Sequence, residues 1–168
     1  MIKKVALISC VSKKLDDSKT KPVKAKDLYV SPLFTKAWKY ATNAIKADEI
    51  YILSAKHHLL HPDALVSYYD ETLVKGKTAK ELRDWSDVVT KQLDEQGIDL
   101  CKDEIYVLAG AKYYKYLIPE RRSNIRFIYE GKRIGEILHF LDQQKYNYEK
   151  YSQSFGITRV ADSEAEWD

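Results

Sequence analysis

The chain has 168 residues, 45% of them hydrophobic and 32% charged, with a formal net charge of +3. This is the composition of one globular domain long enough to bury a core. Its two cysteines, Cys10 and Cys101, lack metal-type spacing, which argues against a zinc ribbon or disulfide framework and for a reducing, cytoplasmic setting. Met1 leads directly into a strand-like run and no segment is long and apolar, so neither a signal peptide nor a membrane span is expected.

Charge is unevenly spread. Residues 1–46 hold eleven lysines against three aspartates, whereas the last seven residues hold four acids. A basic N-terminal third suits a phosphate-bearing partner, although a solvated face is the commoner meaning of such a run.

In chain order, Lys3–Ser9 is a continuous apolar run of strand length, as a central parallel strand requires. Cys10–Lys26 has no period and reads as a long loop. Ser31-Pro32 opens a helix whose stripe is Leu33, Phe34, Ala37, Trp38, Ala41 and Ile45. Glu49–Leu53 is a second strand. The ten residues from Ser54 to Asp63 then gather Lys56, His57, His58, His61 and Asp63 with no helical or strand period, and this loop runs on to Gly76.

Thr78 and Glu81 form a capping box for a helix with stripe Leu82, Trp85, Val88, Val89 and Leu93, stopped at Gly97. Glu104–Leu108 is a third strand, turning at Ala109-Gly110-Ala111 into a short helix that ends before Pro119. Asn124–Tyr129 is a fourth strand, and Glu130-Gly131-Lys132-Arg133 turns into a last helix carrying Ile134, Ile137, Leu138 and Leu141. The period fades near Tyr146, so residues 1–145 are expected to form one domain and 146–168 a partly mobile extension.

Strand and helix alternate four times, which predicts an α/β fold: a three-layer α/β/α sandwich around a four-stranded parallel sheet. All four strands then end at one edge, and the loops beginning at Ser9, Ser54, Ala109 and Glu130 converge on one cleft. Lys56, just past a strand end, is expected to face that cleft. His57 or His58 titrates near neutrality and can serve as a general base or as a donor to developing charge. Adjacent histidines diverge and no carboxylate stands at helical spacing, so no metal is expected. Asp70 can orient a histidine or a water, or cap a turn.

Ser9, Cys10 and Lys13 are candidate contacts for a phosphate or carboxylate, Cys10 also reading as a small core residue. Ser54 opens the second loop and joins this ligand-binding set. Asp27 and Tyr29 can fold over the cleft, Tyr29 either stacking on a base or stapling the first helix. Gly110 permits close backbone approach at a helix start, Tyr113 offers a second stacking face, and Arg133 can pair a phosphate bidentately.

These residues carry a resemblance. Leu7-Ile8-Ser9-Cys10 with Lys13, Asp27-Leu28-Tyr29-x-Ser31-Pro32-Leu33-Phe34, Leu53-Ser54-Ala55-Lys56-His57-x-Leu59-Leu60, Tyr69-Asp70-x-Thr72-Leu73 and Leu108-Ala109-Gly110-x-x-Tyr113 together resemble a phage and bacterial family of unknown function. That family is distantly similar to the middle domain of archaeosine synthase and to the uracil-DNA glycosylase-like fold. The resemblance covers residues 3–141 and implies a strand order of 2-1-3-4 and a modified-base, nucleotide or nucleic-acid context.

The glycosylases' Gly-Gln-Asp-Pro motif is absent after the first strand, and His61-Pro62 follows the second strand rather than the last. Their catalytic residues therefore do not carry over. Two functions remain: a glycosylase-like hydrolase or base-modifying transferase acting on a nucleobase or its glycosidic bond, or a non-catalytic nucleotide- or nucleic-acid-binding module. No cofactor is expected, and nothing in the sequence speaks to oligomeric state.

Overall fold

The structure is a computed structural model that describes residues 1–9, 14–15 and 19–143. Cys10, Lys13 and the extension expected from 146 lie outside the described residues.

β1 (Lys4–Ser9) forms because Val5, Ala6, Leu7 and Ile8 can all be buried at once, each at most 1% exposed. Only a strand covered on both faces has use for such a run. The segment expected as a loop after it is partly built. β2 (Val23–Lys24) and the single turn α1 (Ala25–Leu28) precede α2 (Pro32–Lys39). Ser31 Oγ accepts the Phe34 N–H at 3.2 Å and Pro32 occupies the first turn, as its sequence predicts. α2 passes into a π-helical turn, Tyr40–Ile45, closed by Lys46 in the left-handed region at φ 55.

β3 (Glu49–Ser54) pairs in parallel with β1, from Val5↔Glu49 to Ser9↔Leu53. β4 (His58–Leu60) then turns back antiparallel on β3, with Ile52 opposite Leu60 and Ser54 opposite His58. β5 (Leu65–Val66) pairs antiparallel with β2, and Ala25 N–H to Ala64 O (2.8 Å) and Lys26 N–H to Pro62 O (2.9 Å) extend that seam.

α3 (Ala79–Glu95) starts on the capping box read from sequence: Thr78 Oγ1 accepts the Glu81 N–H, and Glu81 Oε2 accepts the Thr78 N–H at 2.7 Å. It stops at Gly97, φ 74, where Ile98 N–H reaches Leu93 O at 3.0 Å and Gly97 N–H reaches Asp94 O at 2.9 Å. Val88, assigned to its buried stripe, is 41% exposed, while Ser86 is buried and satisfied by Leu82 O. β6 (Glu104–Leu108), α4 (Ala111–Tyr114), β7 (Ile125–Phe127) and a last helix α5 over residues 134–143 complete the described chain.

The sheet order is β4-β3-β1-β6-β7. Four strands are parallel and, numbered by appearance, lie 2-1-3-4. The sheet has five strands rather than the expected four, because the His58–Leu60 segment supplies an antiparallel edge. The crossover from β1 to β3 runs one way along the sheet, and those from β3 to β6 and β6 to β7 run the other. Right-handed crossovers therefore place α2 on one face and α3 and α4 on the other. Contacts agree: Tyr40 packs on Phe140 at 5.7 Å and Lys36 pairs with Asp142, while Trp85 meets Tyr113 edge-on at 5.9 Å.

Candidate functional site

β1, β3 and β6 are in register, so Ser9, Ser54 and Ala109 finish at the same sheet edge. The chain leaves β1 towards β3 and leaves β6 towards β7, so the crevice between these two strand ends is the topological switch point, where open α/β sheets bind ligands. Ser9 sits at its floor, 7% exposed, with Oγ donating to Leu108 O across the two strands at 3.5 Å. The segment 67–76 forms the adjoining wall. Tyr69 anchors it beside β3, Leu73 is 2% exposed, and Lys112 Nζ donates to Val74 O at 3.1 Å from α4.

Ser54 organises the β3 end. Fully buried, it accepts the His57 N–H at Oγ (3.0 Å), and the same Oγ is hydrogen-bonded to the Tyr69 hydroxyl at 2.8 Å. Its carbonyl accepts the Trp85 indole N–H at 2.8 Å. The Tyr69 hydroxyl is in turn paired with that of Tyr29, so a buried chain of three hydroxyls runs from the hairpin to the segment before α2. A serine suits this position because its oxygen can both accept from the turn and bond a phenol.

The Ser54 contacts hold a tight hairpin turn, Ala55-Lys56-His57, followed by His58 at φ 63. A three-residue hairpin loop needs a left-handed residue at its end, and histidine is among the few non-glycine residues tolerated there. The two imidazoles diverge as expected: His57 lies edge-on to Tyr69 at 5.3 Å, and His58 stacks over Trp85 at 6.3 Å. Burial lowers both pKa values below the ordinary 6.5; the Lys56 charge lowers His57 further, and Glu71 opposes the shift in both. Both rings are therefore neutral at pH 7, and His57 is half-buried and available as a base or a hydrogen-bond donor.

Lys56 occupies the turn and is exposed, because the three residues after Ser54 reverse the chain instead of extending the strand. Asp70 is also exposed, and Glu71, its neighbour, is the carboxylate whose charge reaches both histidines. Asp27 is exposed on α1. Tyr29 and Tyr113, expected as stacking faces, are 2% and 5% exposed. Tyr29 packs on Phe34 at 5.2 Å just ahead of the helix, and Tyr113 packs on Trp85.

Gly110 has φ −74 and open space where a Cβ would stand, so its backbone conformation does not require glycine. Arg133 is exposed ahead of α5, where its N–H donates to Glu136 Oε2 at 2.9 Å. A separate groove of about 270 Å³ lies off this edge, between Trp38, Tyr51 and His61-Pro62-Asp63.

Sequence reasoning chose Asp70 over its neighbour Glu71, and missed the Tyr69 hydroxyl and the indole of Trp85. Trp85 was legible only as a core stripe residue, because helical spacing reports which face is buried and not which atom donates.

Fold and site define an α/β domain with a mostly parallel sheet, carrying polar, titratable side chains at the strands' carboxyl edge. The chain belongs to a family of unknown function, DUF6884, which it matches over residues 5–143. It is similar to the uncharacterized protein YfjM of Bacillus subtilis (strain 168), at 38% identity over 152 residues, covering 84% of this chain and 95% of that protein. No solved structure matches it significantly. No helix among the described residues is long and apolar enough to cross a membrane.

Proposed function

We propose that this chain is an enzyme acting on a nucleobase or on the N-glycosidic bond of a modified nucleotide or nucleic acid. The observation that carries it is His57: a neutral imidazole lying edge-on to Tyr69, its backbone N–H fixed by Ser54 Oγ, beside a crevice at the topological switch point. In this reading His57 takes or delivers the proton at the departing base. Lys56, on the hairpin turn, closes over the developing negative charge. Asp70 or Glu71 supplies the carboxylate that supports an oxocarbenium-like sugar or orients water. The 2-1-3-4 order of the parallel strands is the order of the uracil-DNA glycosylase-like fold, and the resemblance to the archaeosine synthase middle domain points to modified bases. Both support this reading.

The test is mass spectrometry of a nucleotide pool, modified DNA and modified RNA after incubation with the full chain. A released or altered base is expected, with turnover falling about a hundredfold in His57→Asn. A second reading, a non-catalytic nucleotide- or nucleic-acid-binding module, is favoured by the outward placement of Lys56 and Asp70, both exposed. One retained, intact ligand and no new mass would establish it instead.

A further inference from the structure

The wall of the crevice continues into a basic surface. From Thr72 to Arg83 and from Ala111 to Tyr116 the chain carries six cations and one carboxylate, Glu81, which is committed to the cap of α3. One of the six, Lys80, pairs with Asp84 at 2.8 Å. Lys75, Arg83, Lys112 and Lys115 are all exposed.

The fold sets these four side by side. Lys112 stands at the crevice rim, because α4 follows β6 after only Ala109 and Gly110. Its Nζ donates to Val74 O at 3.1 Å, which ties the rim to the 67–76 wall and brings Lys75 beside α4. Further along, Lys115 Nζ lies 5.3 Å from the ring centre of Tyr116, and the Arg83 guanidinium of α3 lies 4.8 Å from the same centre. Beneath them Trp85 meets Tyr113 and fixes α3 to α4. Attraction to the Tyr116 ring restrains both cations, so less rotamer freedom is lost when an anion binds them.

We propose that this rim, running from Lys75 and Lys112 at the crevice to Lys115 and Arg83, is a phosphate track for a nucleic-acid strand whose reacting nucleotide occupies the crevice beside His57. This deepens the nucleobase reading, rests on it for the chemistry at His57, and narrows the substrate from a free nucleotide to a polymer. Tyr116 lies about 6 Å along the chain beyond Lys112 at helical rise, and α4 leads away from the crevice. A mononucleotide carries its phosphate at one place, whereas a strand presents one after another along such a line. Contacts of this kind position the strand without reading its sequence.

Fluorescence anisotropy of dye-labelled dodecathymidylate and dodecauridylate with the full chain, from about 50 to about 300 mM KCl, tests it without turnover. The logarithm of the binding constant is expected to fall against that of salt with a slope of about −3, as phosphate contacts to these four cations require. Arg83→Gln/Lys115→Gln should weaken both probes about tenfold and flatten the slope by about one. Lys91→Gln, also exposed but further along α3, should change neither. Polyglutamate of the same length should bind about tenfold more weakly than either strand.

A wild-type slope near zero, which needs no variant to fold, would overturn the track. So would strand binding by the double variant equal to wild type, or an equal loss in Lys91→Gln. Equal affinity for polyglutamate would make the face a surface for acidic peptides and overturn it as well. Because these are binding measurements, absence of any base chemistry would remove the enzymatic reading and leave the track standing. Turnover of free nucleotides without strand binding would do the reverse.

Discussion

At the scale of single residues, the site depends on oxygen atoms that serve more than one partner. The Tyr69 hydroxyl lies between Ser54 Oγ and the Tyr29 hydroxyl, with all three side chains buried. Tyr69→Phe keeps the ring and removes the hydroxyl from that chain. It should cost about 1–2 kcal/mol, measurable by denaturant unfolding, because two buried hydroxyls lose a partner. The double variant Tyr29→Phe/Tyr69→Phe should cost less than the sum of the singles, a coupling of about 0.5–1 kcal/mol; strict additivity would show that the pair is not energetically linked. His57 illustrates the same economy of contacts. Its backbone N–H secures the turn while its ring stays free of strong hydrogen-bond partners among the described residues, so His57→Asn should alter chemistry more than stability.

At the scale of elements, helix ends were the most legible part of the chain and the hairpin the least. Thr78 with Glu81, Ser31 with Pro32 and Gly97 each act through bonds to residues a few positions away, so spacing alone reveals them. Gly97 at φ 74 closes α3 with Ile98 folding back on Leu93, both nearly buried. Gly97→Ala should destabilise by about 1 kcal/mol, since a Cβ is penalised in the left-handed region. Lys46 presents the opposite case: an exposed lysine at φ 55 ends the π-helical turn, so Lys46→Gly should raise Tm by the equivalent of about 1 kcal/mol. An unchanged or lower melting point would mean that lysine's contacts offset the strain. The β3–β4 hairpin escaped notice because its turn, Ala55-Lys56-His57, has none of the Asn-Gly or Asp-Gly chemistry that marks such turns, and its left-handed position is filled by His58.

At the scale of the whole molecule, burial of the histidine pair makes stability depend on pH. His57 and His58 have folded pKa values below 6.5, chiefly through burial. The unfolded chain therefore binds protons near pH 6.5 that the folded chain does not take up until lower pH. Stability is full above that value and declines as pH falls through the folded pKa values. Thermal melts from pH 7.5 to 5 should show this decline, and His57→Gln/His58→Gln should flatten it. An unaltered slope in the double variant would assign the acid sensitivity to other groups.

From the sequence alone came the α/β class, the four parallel strands and their helices, the caps, and the gathering of polar residues at one strand edge. These follow from period, apolar runs and local bonds, which are properties of neighbouring residues. The tertiary structure decided what is decided by contacts across the chain. Leu59 and Leu60 return to pair with β3, Lys56 and Asp70 face solvent while Glu71 acts on the histidines, and Tyr29 and Tyr113 are packed inside. Lys14 meets Tyr29 and the Tyr69 ring from 15 and 55 residues away. No local pattern encodes such distances: side-chain direction in an aperiodic loop is set by the partners that fold against it.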